Sequence, residues 1–101
     1  MESHIAASKG KLAELQLQVE ERGSEVLTER DEHGWQVLHQ GVAGGNAAVV
    51  EFLVEKGADI NARTFGGGET PLRIAERKFG LNSSLAQYLK AMGALSIGPE
   101  L

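Results

Sequence analysis

The chain contains no cysteine, and that absence removes a disulfide framework, every thiolate-held zinc site and every thiol nucleophile. Long apolar runs are missing too: none approaches the ~20 residues of a membrane span. Met1-Glu2-Ser3-His4 lacks a basic region leading into an apolar stretch. The expectation is a cytoplasmic, intracellular protein without a membrane partner. Basic residues are in the minority, 10 against 14 acidic ones, and the net charge of −4 argues against nucleic acid as a partner. The balance is uneven along the chain. Residues 1–62 hold 5 basic and 11 acidic side chains, a net of −6, whereas residues 63–101 hold 5 and 3, a net of +2.

What is present suffices for one folded domain. A chain of 101 residues with 42% hydrophobic content buries roughly 60–70% of its unfolded surface on folding. Its landmarks recur about every third of its length. Gly10, Gly45 and Gly80 are spaced 35 apart, Gly23, Gly57 and Gly93 are spaced 34 and 36, and Leu38 returns as Leu72. His39 has a counterpart in His4, and Gly57-Ala58 in Gly93-Ala94. A repeat of this length is the signature of stacked supersecondary units.

Each unit has the same internal pattern. A short segment of small and apolar residues (Leu38, Gly41, Val42) ends at a glycine, which can take a positive φ and stop a helix. A second segment, residues 47–56, sets Val49, Val50, Phe52, Leu53 and Val54 on a broad apolar face opposite Glu51, Glu55 and Lys56. The residues that follow, Ala58 to Glu69, have the Asp, Asn and Gly content of an exposed turn. Thr70-Pro71 then opens the next helix, with proline where its missing N–H costs nothing.

Asp31, Gly34, Leu38, His39, Gly45, Val50, Leu53, Gly57, Ala58, Asp59 and Asn61 stand at the spacing of the ankyrin repeat, which residues 31–63 closely resemble. The third unit keeps Gly68, Thr70-Pro71-Leu72, Ala75, Leu89 and Gly93-Ala94, but has Arg73 in the histidine place and about two extra residues between Lys78 and Ser84. The first unit lacks the hairpin. The resemblance covers about residues 4–94 and implies an all-α fold, an α-solenoid of three stacked ankyrin repeats with projecting β-hairpin loops. The units fall at about 2–30 (an N-terminal cap), 31–63 and 64–96, with 97–101 as a tail. Helices are predicted at 2–9, 12–22, 38–44, 47–56, 71–78 and 82–92, and hairpins at 29–37 and 61–70. The apolar alternation of Leu95 to Leu101 fits either a cap folded over the last helix pair or the cut edge of a longer array.

Nothing in the chain assembles catalytic chemistry. The serines show no Gly-x-Ser-x-Gly elbow, no paired carboxylates sit in an apolar setting, and Gly66-Gly67-Gly68 lacks the Lys-Ser/Thr ending of a phosphate loop. The resemblance casts His39 as a backbone-bonding residue at the hairpin-to-helix junction, and no metal or other cofactor is expected. It implies instead a non-catalytic protein–protein interaction module whose hairpin tips and first helices form a concave surface for a partner protein, the chain itself being monomeric. By position the surface comprises Lys9 in the first unit, Glu32, His33 and Trp35 in the second, and Arg63, Phe65, Glu69, Arg77 and Lys78 in the third. Trp35 is either an interface anchor or a side chain packed on a neighbouring hairpin. The basic cluster either meets an acidic partner or is a solvated face. Asn61 is either a turn-bonding residue or, by the resemblance, a substrate of an iron and 2-oxoglutarate dependent asparaginyl hydroxylase. An alternative role is an accessory domain that positions a partner for a larger enzyme, weakly resembling prolyl 4-hydroxylase-like proteins.

A stack of three units depends on nearest-neighbour contacts. Deleting residues 1–23 is therefore expected to lower the thermal midpoint sharply; an unchanged melting curve would make the first helix pair an appendage.

Overall fold

The computed structural model describes residues 2–65 and 68–98. Among these, seven helices follow in order: α1 (Glu2–Lys9), α2 (Leu12–Arg22), α3 (Glu25–Thr28), α4 (Val37–Ala43), α5 (Ala47–Glu55), α6 (Pro71–Phe79) and α7 (Ser84–Ala91). No helix among the described residues is long and apolar enough to cross a membrane. Three helix pairs, α1/α2, α4/α5 and α6/α7, stack so that α4 packs on both α1 and α6 while α2, α5 and α7 stand behind their partners.

Side-chain size sets the tightness of the front layer. Ser3, Ala6 and Ala7 of α1, Gly41 and Val42 of α4, and Ala75 of α6 are all buried. A Cβ added to Gly41 would lie 3.1 Å from a Val49 methyl, so α4 and α5 approach as closely as glycine permits. Behind them a cleft lined by Val19 and Phe52 opens between α2 and α5. The stack is thus tighter in front, where α4 packs on α1 and α6, than behind. Leu15, Leu38, Val49, Val50, Leu53, Leu72, Ile74 and Leu89 fill the space between the layers, each contributing about 1.5–3 kcal/mol by leaving water.

Two elements differ from the sequence expectation. The single turn α3 precedes the first projecting loop, because one helical turn, closed by Leu27 N–H to Ser24 O (3.0 Å), sends both Val26 and Leu27 into the core. The last helix starts at Ser84 instead of residue 82. Ser83 caps it, its hydroxyl accepting from Ala86 N–H at 3.2 Å.

Imidazoles on the first helices hold the backbone of the loops that follow. His4 Nε2–H donates to Trp35 O (2.8 Å) and His39 Nε2–H to Ala62 O (2.9 Å). His39 Nδ1 meanwhile accepts from Gln36 N–H at 2.9 Å, which fixes the neutral tautomer. Asn46 adds a further tie, its amide donating to Ala7 O and Ser8 O at 2.9 and 3.0 Å.

Burial holds the His39 pKa below the ordinary histidine value, against the raising effect of the Ala62 carbonyl. As pH falls, the unfolded chain takes up the proton first. The stability associated with neutral His39 is therefore present above about pH 6.5 and is lost as pH falls through that value toward the lower folded pKa. Thermal midpoints across pH 7 to 5 are expected to fall for the wild type and to fall less for His39→Gln, which starts from a lower midpoint. Parallel curves would show that His39 does not carry the acid sensitivity.

Candidate protein-interaction surface

Two loops project from the front edge of the stack, and hydrogen bonds within each one shape it. Neither contains a strand among the described residues, where β-hairpins were expected; the first is a tight turn at residues 32–34, too short for a ladder. Asp31 builds the first. Its Oδ1 accepts from the His33 and Trp35 N–H groups (2.9 and 3.0 Å), its Oδ2 accepts from the Gln40 amide (3.2 Å), and its own N–H donates to Trp35 O (2.9 Å). Burial raises the Asp31 pKa, but these bonds outweigh it and hold the carboxyl below its ordinary value. In the second loop Thr64 N–H donates to Glu69 O (3.1 Å) and Thr64 Oγ1 accepts from Glu69 N–H (2.9 Å). Gly66 and Gly67, which the sequence reading places in the second hairpin, lie outside the described residues.

The loops also lock to each other. Phe65 N–H donates to His33 O (3.1 Å), and Arg30 donates to Gly34 O and Arg63 O (2.6 and 2.7 Å) while its guanidinium lies 5.6 Å from the Phe65 ring centre. Gly34 takes a φ of +80°, and a Cβ there would fall 2.4 Å from the Phe65 ring. Sequence reasoning missed Arg30, whose position just before the loop gives no periodic signal.

Three of the sequence-nominated residues meet in one place. His33, Trp35 and Lys78 line a depression of about 360 Å³ together with Asp31, Gln40 and Ala43, between the first loop, α4 and α6. Trp35 is half-buried and packs against the core, its ring 6.0 Å from that of His39. The indole therefore forms part of the wall of the depression. Phe65 is 60% exposed beside it. Glu32 is exposed and meets His33 at 3.5 Å, and Lys9 is exposed at the end of α1; neither lines the depression.

The basic cluster is largely engaged within the protein. Arg77 makes two bonds to Glu69 (2.7 and 2.9 Å), which raise its pKa, and Arg63 Nε donates to Gly68 O (3.2 Å). Arg73 donates to Ser96 Oγ (2.9 Å). Asn61 Oδ1 accepts from Leu95 N–H (2.8 Å), and its own N–H donates to Asp59 Oδ1 (2.9 Å). An enzyme modifying the Asn61 side chain would first have to release that bond to Leu95.

The family model for ankyrin repeats in three copies matches residues 3–96, and the chain belongs to that family. It is similar to human Rabankyrin-5, with 31% identity over 77 residues, covering 70% of this chain and 7% of that protein. It is similar also to the NF-kappa-B inhibitor cactus of Drosophila melanogaster, with 40% identity over 60 residues, 59% of this chain and 12% of that protein. A third relative is alpha-latrotoxin-Lh1a of Latrodectus hasselti, 33% identical over 55 residues, 54% of this chain and 4% of that protein. The chain thus spans a small part of the relatives it matches. Ankyrin repeats are in general protein–protein interaction modules.

Close contact at Gly34 and backbone strain alone can be separated by comparison with Gly57, whose φ is +96° and whose added Cβ meets nothing within 4 Å. Gly57→Ala is expected to cost about 1 kcal/mol, and Gly34→Ala at least about 1 kcal/mol more through the clash with Phe65. Urea midpoints of the two variants decide it; equal losses would mean that the loops part without resistance.

Proposed function

We propose that this chain is a non-catalytic module that binds a partner protein across the concave surface formed by its two projecting loops and the exposed side of α4 and α6. The observation that carries the reading is the depression walled by Trp35. It holds a half-buried indole, a flexible cation and an imidazole at the mouth, on a frame made rigid by the Asp31 and Arg30 bonds. A preformed frame of this kind reduces the ordering cost of association, and large aromatic side chains are the usual anchors of protein interfaces. Contact belongs on this reading to Glu32, His33, Trp35, Phe65 and Lys78, with Lys9 at the far edge. Arg63, Glu69 and Arg77 shape the second loop through their internal bonds.

Capture from a lysate of the source cell tests the surface. The wild type is compared with a Trp35→Ala, Phe65→Ala double variant and with Glu51→Ala on the exposed side of α5, each of verified fold. A partner retained by the wild type and Glu51→Ala but lost by the double variant is the expected result. Equal capture by all three would place binding away from the loops.

A further inference from the structure

The two ends of the stack finish differently. Helix α4 is covered on both sides, by α1 and α6, whereas among the described helices α1 is covered by α4 on one side alone. At the far end Glu76 stands at the register of the buried Val42, and its carboxylate accepts from Ser96 Oγ and pairs with Arg73 and Lys90, each at 3.9 Å. Polar side chains bonded to one another close that side. The α1 end does the opposite. Ile5 stands at the register of Ile74, which is fully buried within the stack, yet Ile5 is 53% exposed. Leu17 of α2 is 52% exposed, and the two side chains line a cleft of about 320 Å³ together with Glu2, Ala6, Glu14 and Gln18.

Among the described residues, the charged side chains lining this cleft are both carboxylates. Gln18 on α2 donates to Glu2 Oε2 on α1 (3.1 Å), which holds that carboxylate across the cleft and leaves Oε1 without a partner among the described residues. Glu14 meets Lys11 at 3.9 Å, a loose pair in which both side chains are more than half exposed; such pairs contribute little in water. The nearby guanidiniums are committed elsewhere, Arg22 to Glu29 and Glu25 and Arg30 to Gly34 O and Arg63 O. Residues 1–30 hold 6 acidic and 4 basic side chains, so the surroundings add to the negative charge of the cleft.

From this cleft we infer a second interaction surface, separate from the two-loop face, that takes a basic amphipathic helix of a partner protein. Its apolar stripe lies on Ile5 and Leu17, and its lysines or arginines reach Glu2 and Glu14. A helix fits because Ile5 sits on the side of α1 that α6, at the same register, buries within the stack, where helix packs on helix. An extended segment would need a strand edge to pair with, and α1 and α2 offer none. Charge decides the sign of the partner. An acidic helix, or a second copy docked through the same face, would bring carboxylates within a screening length of about 8 Å of Glu2 and Glu14.

The test pans a displayed library of amphipathic helices of about five turns, with polar positions drawn from Lys, Glu and Gln, on the full chain and on a Glu2→Lys, Glu14→Lys variant. Glu2, Glu14 and Leu17 are all exposed, so their variants leave the core untouched, and melting curves verify each fold. Glu14→Lys alone serves if the double variant is destabilised. Lysine-rich flanks are expected from the wild type and glutamate-rich flanks from the charge-reversed variant. The best wild-type peptide should gain helical circular dichroism on binding, weaken between about 50 and about 300 mM salt, and bind Leu17→Glu at least about tenfold more weakly. Its affinity for the Trp35→Ala, Phe65→Ala double variant should stay within about twofold of the wild type.

Peptides with the same flanking charges from both targets would overturn the basic partner. Binding insensitive to Leu17→Glu, or lost on the Trp35→Ala, Phe65→Ala double variant, would place the peptide elsewhere and overturn the site. A wild-type dimer in sedimentation velocity that Leu17→Glu dissolves would give the cleft to a second copy instead. A selection that returns no helix weakened by Leu17→Glu counts against the surface.

Discussion

The bond from a helix imidazole to the backbone of the following loop is the constraint on which this structure depends. In a stack whose units touch only their neighbours, a projecting loop without a strand ladder has few anchors. His4 supplies one by donating to Trp35 O, and His39 supplies the next by donating to Ala62 O. Each loop is thereby positioned by a side chain that is itself buried on the first helix of the preceding helix pair. The third unit has Arg73 where histidine stood, and the role passes to Thr70. Its hydroxyl donates to Leu95 O (2.6 Å) and its N–H to Ile97 O (2.9 Å), so chain again attaches to the start of a first helix.

This clarifies the tail, for which the alternating apolar residues left two readings open. Residues 94–98 run beside the start of α6 and are fastened by polar bonds: Leu95 N–H to Asn61, Ile97 to Thr70, Ser96 to Arg73 and Glu76. Leu95 is 55% exposed, so the segment does not seal an apolar face in the way an alternating pattern suggests. Gly93-Ala94 repeats Gly57-Ala58, and the chain beyond it lies against Thr70 much as Ala62 lies against His39. Pro99, Glu100 and Leu101 fall outside the described residues.

The principal helices were legible because glycines end them at a fixed interval and small residues mark the helix contacts. Helix α3 was not, since four residues carry no period; what folds them is the demand that Val26 and Leu27 both reach the core. The loop residues were legible as a group and not as individuals. Sequence places Trp35 in a projecting loop, but its half-burial comes from Asp31 turning the backbone and from the His39 ring behind it. Nor does a cluster of Arg63, Arg73 and Arg77 in the sequence reveal which guanidinium is engaged. That follows from Glu69, held at the loop base by Thr64, standing where Arg77 closes on it.

Electrostatics and packing then combine to shape the two-loop surface. Had Arg77 stayed free, the third unit would present a diffuse basic face, attractive to any anion and weakly discriminating. Its closure on Glu69 removes that charge from competition and stiffens the second loop against the first, through Phe65 over Gly34 and Arg30. What remains is the half-buried Trp35 indole in the wall of the depression, framed by the Asp31 and Arg30 bonds. The same bonds that shape the loops therefore fix which groups the proposed contact surface presents.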